Sequence, residues 1–149
     1  MKPQIIITET SFNKIKTAIE KNKNKTIIFS SNDDELNRKV LEKLEINILL
    51  LKQSKRKDFQ KQRNSGFNQV IAKITKKKNI AIGIDLDEII NFERQNKSDI
   101  IARVRQNVKL CNKNKLKMKF ISEKYKRDIY SLKALGLILG MNTSMTKTL

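Results

Sequence analysis

Residues 80–90, IAIGIDLDEII, change character halfway along. The first half is almost wholly apolar, as in a parallel β-strand that is covered on both faces. The second half contains Asp85, Asp87 and Glu88 followed by an apolar pair, which is typical of a strand that leads into the acidic first turn of a helix. The stretch therefore predicts a βα junction. In extended conformation it would also place Asp85 and Asp87 on one face, where two carboxylates could bind a metal ion.

Short runs of the same apolar kind recur along the chain. Together with residues 80–84, the predicted strands are residues 5–8, 26–30, 46–51 and 117–122. In the last run Lys117 and Lys119 alternate with Met118 and Phe120, which favours a strand at the edge of a sheet. Cationic side chains at an edge protect it from pairing with another chain.

The segments between these runs have the spacing of helices with one apolar face. The apolar stripes are Phe12, Ile15 and Ile19; Leu36, Val40, Leu41 and Leu44; Phe67, Val70, Ile71 and Ile74; and Ile100, Ile101, Val104, Val108 and Cys111. Ser31 and Asn32 precede three acidic residues, which predicts the start of the second helix there. Repeated βα units predict one α/β domain over residues 1–149, with a mostly parallel sheet and right-handed crossovers. Five strands are too few for a complete eight-stranded barrel, so an open doubly wound sheet and an incomplete TIM-type barrel both remain possible.

The charge of the chain limits its partners. It has 33 Lys and Arg against 15 Asp and Glu, a net charge of +18, which favours binding to nucleic acid. It has no histidine, and its single cysteine, Cys111, lies on an apolar stripe, so we expect neither a disulfide nor a zinc site. No apolar run approaches the roughly 20 residues of a membrane-spanning helix, and the N-terminus is too polar for a signal peptide. We therefore expect a cytoplasmic protein that has no membrane partner and holds no cofactor of its own.

Cations concentrate in two regions. Residues 52–66, KQSKRKDFQKQRNSG, show the least sign of regular structure and directly follow the third predicted strand. The loops that leave the C-terminal ends of parallel strands form the binding face of such folds. The second region, residues 103–127, contains a further series of Lys and Arg. A charge run is often only solvated surface, but the net charge and the loop position favour contacts with RNA phosphates.

Aromatic residues are scarce, at 5% with no tryptophan. Recognition of RNA by base stacking is therefore poorly supported, and Tyr125, between two lysines, is the one candidate.

Three stretches suggest a family. Residues 63–90 read RNSGFNQVIAKITKKKNIAIGIDLDEII, residues 100–122 read IIARVRQNVKLCNKNKLKMKFIS, and residues 127–141 read RDIYSLKALGLILGM. In their order and spacing they resemble the archaeal ribonuclease P protein component three family, whose eukaryotic relatives are TIM-barrel-like subunits of ribonuclease P and MRP.

The resemblance implies a shortened TIM-barrel-like fold and a protein subunit of ribonuclease P, the ribonucleoprotein that removes the 5′ leader from precursor tRNA. It implies that the RNA subunit performs the catalysis and holds the magnesium ions. The implied partners are the ribonuclease P RNA, a small protein subunit of RRM-like fold and, indirectly, precursor tRNA. Gly66, in the family-matching loop with Ser65, is expected to supply a backbone conformation that a side chain would forbid. The predicted RNA-binding residues are Lys52, Lys55, Arg56, Lys57, Arg63, Asn64, Asn68, Arg103, Arg105, Lys124, Lys126 and Arg127.

The chain also departs from the family. A basic residue usually stands where this chain has Asp87, the loop after the fifth strand is reduced to residues 122–125, and the N-terminal region is shorter by about one or two βα units. Under the resemblance Asp85 is structural and ends a buried strand. Two alternatives remain open: an independent metal-dependent phosphoesterase that uses Asp85 and Asp87, aided by Glu9 and Asp33, and a basic α/β scaffold for protein partners.

Overall fold

Five short strands form one parallel sheet in the computed structural model, which describes residues 1–149. They are β1 (Gln4–Ile7), β2 (Thr26–Phe29), β3 (Ile48–Leu51), β4 (Ala81–Asp85) and β5 (Met118–Ile121). Every neighbouring pair is parallel. The five predicted strands and the parallel α/β class are confirmed.

The order of the strands distinguishes the two folds that the sequence left open. The spatial order β1-β2-β3-β4-β5 is the order along the chain. Right-handed crossovers then all run in one direction, as in a TIM barrel, whereas a doubly wound sheet reverses its order at a switch point. Since β1 and β5 each pair with one neighbour only, the sheet is open. The incomplete TIM-barrel-like fold is therefore confirmed, and so is the edge position of β5.

Seven helices accompany the strands. They are α1 (Phe12–Lys21), α2 (Asp34–Lys43), α3 (Gln69–Lys78), α4 (Leu86–Asn91), α5 (Arg94–Asn114), α6 (Ile129–Leu139) and α7 (Thr143–Thr146). No helix is apolar over a length that would cross a membrane.

The larger core lies between the helices and one face of the sheet. Phe29, Leu49 and Ile82 alternate with residues of the other face and are completely buried against the helical stripes. Cys111 lies in this core as predicted, and burial raises the pKa of its thiol to about 12. One member of the predicted stripes is wrong: Val70 is 49% exposed, because its position on α3 turns away from the sheet.

The other face of the sheet carries a smaller cluster made of strand residues alone. Ile28, Ile48, Leu50 and Ile121 are its buried members. Gly83 lies among them, and a Cβ atom there would come within 3.1 Å of side-chain atoms of Ile48 and Leu50. The helices therefore pack on one face of the sheet. Because all five strands are parallel, their C-terminal ends lie along the same edge of the sheet.

The start of α2 differs from the prediction. Asp33, and not Ser31 or Asn32, is the N-cap, and its Oδ1 accepts hydrogen bonds from the backbone N–H groups of Glu35 and Leu36. The Ser31 hydroxyl accepts from the N–H of Asp33 and so stabilises the preceding turn. Several residues here had suitable side chains, and the backbone turn decided which of them caps the helix.

Candidate nucleic-acid interface

The segment between β3 and α3, residues 52–68, is fixed at both ends although it contains no helix or strand. At its start, the carboxylate of Glu88 on α4 accepts hydrogen bonds from the backbone N–H groups of Gln53, at 2.9 Å, and Ser54, at 2.6 Å. The side-chain amide of Gln53 donates to the carbonyls of Leu51 and Ser65, which joins the two ends of the loop. The stretch that looked least ordered in the sequence is therefore held by buried hydrogen bonds.

Arg103 of α5 fixes the middle of this loop. Its Nε donates to Asp58 Oδ1 at 2.9 Å, Nη1 to the carbonyl of Gln53 at 2.8 Å, and Nη2 to the carbonyl of Arg56 at 2.9 Å. Arg103 is only 5% exposed. The sequence predicted an RNA contact for this residue, and the structure instead directs its guanidinium at the loop and leaves it almost no surface for a ligand.

Arg56, which belongs to the loop itself, attaches the loop to α2. Its two terminal nitrogens form a bidentate pair with Asp34 of α2, both bonds 3.0 Å long, and its Nε donates to the carbonyl of Lys52. Gly66 packs against this pair with a φ of +70°, and a Cβ atom would lie 2.6 Å from Arg56 Nη2 and 2.7 Å from Asp34 Oδ1. The conformation predicted for Gly66 is confirmed, and the ion pair explains why a side chain has no room.

The remaining polar residues of the loop also contact each other. Asp58 accepts from Arg103 Nε, from Arg63 Nη1 and from the backbone N–H of Asn64. The hydrogen bond from Arg103 is the main cause that lowers the pKa of Asp58. The side chain of Asn68 accepts from the N–H of Ile71 and caps α3. The segment therefore contains Arg63, Asn64 and Asn68, as the sequence predicted. Each of them makes a hydrogen bond within the protein.

The exposed cations are distributed over more than one surface. The exposed cations of the predicted set are Lys52, Lys55, Lys57, Arg105, Lys124, Lys126 and Arg127. A recess of about 320 Å³ at the C-terminal ends of the strands is lined by both Lys52 and Lys124. A separate recess beside α5 is lined by Arg63 and Arg105. The structure thus brings some of the predicted cations together, but it does not unite all of them in one site.

Asp87 organises the loop that follows β5, a role that sequence reasoning missed. Its carboxylate accepts from the hydroxyl of Ser122 at 2.5 Å and from the backbone N–H groups of residues 123, 124 and 125 at 2.9 to 3.1 Å. Burial would raise the pKa of Asp87, but the hydrogen bond from Ser122 and those from the loop backbone outweigh it and lower the pKa. The sequence offered one signal for this contact: Asp87 and Ser122 lie at or just after the ends of two predicted strands that are consecutive along the chain.

The acidic cluster of residues 85–88 suggested a metal site in the sequence. In the structure, each of its three carboxylates makes a separate contact. Asp85 ends β4 and caps α4 by accepting from the N–H of Glu88, and its Oδ2 lies 3.8 Å from Lys52 Nζ. Burial is the main cause that raises the pKa of Asp85. Glu88 holds one loop and Asp87 another. No group of three acidic or cysteine side chains in residues 1–149 is arranged to hold a metal ion, so no observation specifically favours the phosphoesterase alternative.

We expect Asp87→Asn to lower the free energy of unfolding at pH 7 by about 2 kcal/mol, because an amide replaces one acceptor oxygen by a donor that faces N–H groups. Since the pKa of Asp87 is lowered on folding, its contribution is complete well above the usual carboxyl pKa of 3.8 and disappears as the pH falls through the folded value. Urea denaturation at pH 7 and pH 3 measures both effects. The difference between wild type and variant should shrink at pH 3.

Glu123→Gln is the matched control, because it removes an exposed carboxylate from the same loop. It should change stability by less than about 0.5 kcal/mol. An Asp87→Asn penalty that stayed constant down to pH 3 would contradict the role assigned to the ionised carboxylate.

Known proteins resemble this chain in sequence and in fold. No family model matches the chain. The chain is 26% identical to Ribonuclease P protein component 3 of Methanococcus maripaludis strain C6 over 145 residues, which are 96% of this chain and 59% of that protein. The same protein of strain C7 is 25% identical over the same shares. The chain thus spans less than two thirds of the length of the relatives it matches.

A chain of the cryo-EM structure of archaeal Ribonuclease P with mature tRNA has the same fold. The TM-score is 0.81 at 22% identity, and the match covers 99% of this chain and 64% of that one. In sequence, the chain is similar to Ribonuclease P protein component 3 over 96% of its length, as its motifs implied.

Proposed function

We propose that this protein is a subunit of ribonuclease P that supports the RNA subunit in removing the 5′ leader from precursor tRNA. The observation that carries the proposal is the cationic loop of residues 52–63, held rigid at the C-terminal end of the sheet by Glu88 and Arg103. The similarity to Ribonuclease P protein component 3 along almost the whole chain supports the same function.

The mechanism that we propose is electrostatic. Lys52, Lys55 and Lys57 are exposed on a loop whose backbone is already fixed, so binding RNA phosphates would order little more than the side chains themselves. Each phosphate contact releases condensed counterions and so favours binding at low salt. In this proposal Arg56 and Arg103 are positioning residues, which keep the loop in shape without touching RNA.

The chemistry of cleavage is assigned to the RNA. We propose that the RNA subunit holds the magnesium ions, since the carboxylates of Asp85, Asp87 and Glu88 are occupied in loop and helix contacts. The proposed partners are the ribonuclease P RNA, a small protein subunit of RRM-like fold and, indirectly, precursor tRNA, and we expect the complex to act in the cytoplasm.

The test is a salt titration of binding to ribonuclease P RNA, together with cleavage of precursor tRNA by that RNA with and without the protein. We expect the combined Lys52→Ala, Lys55→Ala and Lys57→Ala variant to bind less tightly. The slope of log K against log salt should fall by about 0.7–0.9 for each phosphate that the variant no longer neutralises.

The control removes the same charge from α1, through Lys14→Ala, Lys16→Ala and Lys21→Ala at exposed positions. It should leave the slope nearly unchanged. A slope near zero for the wild-type protein would remove the phosphate mechanism and favour a scaffold for protein partners. Cleavage of precursor tRNA by the protein alone would contradict the assignment of catalysis to RNA.

A further inference from the structure

A groove lies between α5 and the second half of the loop that joins β3 to α3. It consists of two adjoining recesses of about 650 and 630 Å³. Both recesses are lined by Gln62, Arg63, Gln106 and Lys109, so that they form one continuous depression, which we call the α5 groove.

Phe59 stands in the wall of the α5 groove with 59% of its surface exposed. Large apolar side chains on a fixed backbone are normally packed, since an exposed ring forgoes the free energy of burial. The backbone here is fixed: the preceding Asp58 is held by Arg103, and the N–H of Phe59 donates to the carbonyl of Gln62 at 2.9 Å, which closes a turn. The ring is therefore presented to the groove by a rigid support and has a free surface available to a planar partner.

Cations also line the groove. Arg105, Lys109 and Lys113 follow one another at four-residue intervals on α5, so their exposed side chains form one row along the helix. Lys61 faces the same depression. Of the acidic lining residues, Asp34 is paired with Arg56, which leaves the groove with an excess of positive charge.

The groove also contains groups that can bond to the edges of bases. The side-chain amides of Gln62 and Asn64 line it, and each amide has donors and an acceptor. A basic row, an exposed aromatic ring and side-chain amides are together the components of single-strand recognition, in which phosphates track the cations and bases stack on rings. Inside a duplex the bases stack on one another, so an internal base has no free face for Phe59.

We propose that the α5 groove binds a single-stranded stretch of RNA, with one unstacked base against the ring of Phe59 and the backbone along Arg105, Lys109 and Lys113. The proposal rests on the proposed function for its partner class, and it names a second surface that is distinct from Lys52, Lys55 and Lys57. It differs from the interpretation of the sequence, which gave base stacking little support and named only Tyr125.

The experiment measures binding of the full chain to a fluorescently labelled uridine dodecamer and to a blunt RNA duplex of the same number of base pairs. Phe59→Ala should weaken binding of the single strand about tenfold and leave binding of the duplex unchanged. Phe59→Tyr keeps the ring and should retain the wild-type affinity. Combined Arg105→Ala, Lys109→Ala and Lys113→Ala should weaken single-strand binding and reduce its salt slope.

Tyr130→Ala is the matched control, since Tyr130 is an aromatic residue on α6 that is 81% exposed and lies outside the groove. It should bind the dodecamer as the wild type does. The proposal is overturned if Phe59→Ala binds the dodecamer normally, if it weakens duplex binding as much, or if Tyr130→Ala has the same effect.

These outcomes are separable from those of the proposed function. The dodecamer assay needs neither ribonuclease P RNA nor cleavage, so it remains readable if the protein fails to support removal of the leader. Conversely, normal dodecamer binding by Phe59→Ala would leave the salt-dependent role of the lysines in the loop intact.

Discussion

Glu88→Ala is expected to lower the free energy of unfolding by about 4 kcal/mol. Glu88 is 6% exposed, and its carboxylate accepts from the backbone N–H groups of Gln53 and Ser54. Alanine would leave two donors without a partner, and at Gln53 that donor is buried, so water would have to enter or the loop would have to move. Urea denaturation followed by circular dichroism measures the change.

Two comparison variants sharpen this prediction. Glu88→Gln keeps one acceptor oxygen and should cost less than the alanine variant. Glu93→Ala removes an exposed carboxylate a few residues away, at the N-cap of α5, where the side chain makes no capping hydrogen bond. It should stay within about 0.5 kcal/mol of wild type. A loss below about 1 kcal/mol for Glu88→Ala would mean that the loop does not depend on this carboxylate.

The second large effect is expected at Arg103. Arg103→Ala should lower the free energy of unfolding by about 3 kcal/mol, because Asp58 and the carbonyls of Gln53 and Arg56 would all lose a donor. Arg103→Lys keeps the charge but not the planar fork, so it should recover only part of this loss. RNA affinity should fall with both variants, because the loop that carries the lysines proposed to bind phosphate loses its support.

Arg105→Ala separates this positioning role from direct contact. It removes the same charge from an exposed site two residues along α5, and it should weaken RNA binding with a change in stability below about 0.5 kcal/mol. If Arg103→Lys were as stable as wild type and yet bound RNA less tightly, Arg103 would contact RNA directly, as the sequence suggested.

The parts of the fold that depend on local pattern could be predicted. Apolar runs predicted the first four strands and alternation of Lys with apolar residues predicted the fifth, while residues spaced three and four apart predicted most of the buried positions of α1, α2, α3 and α5. Gly66 was identified from its place in the family-matching loop before α3, and its positive φ agrees with that prediction. The N-cap of α2 could not be fixed, because several adjacent residues had side chains suited to that position.

The roles of the charged residues could not be predicted from their neighbours in sequence. Arg56 and Arg103 were predicted to bind RNA, but Arg56 bonds to a residue 22 positions away and Arg103 to one 50 positions away. Asp87 read as a metal ligand or a helix-start acid, and its partner Ser122 lies 35 positions along the chain. Which charges are neutralised inside the protein depends on which elements become neighbours.

The sequence by itself determined the alternation of strands and helices, the apolar faces of four of the helices, and the high positive charge that favours nucleic acid as a partner. These properties follow from the spacing and composition of nearby residues. Only the tertiary structure decided that the sheet winds in one direction as an open barrel, that Glu88 and Arg103 hold the loop of residues 52–66, and that Phe59 is exposed beside the cations of α5. These depend on contacts between distant residues, whose geometry is fixed only when the strands have paired and the helices have packed.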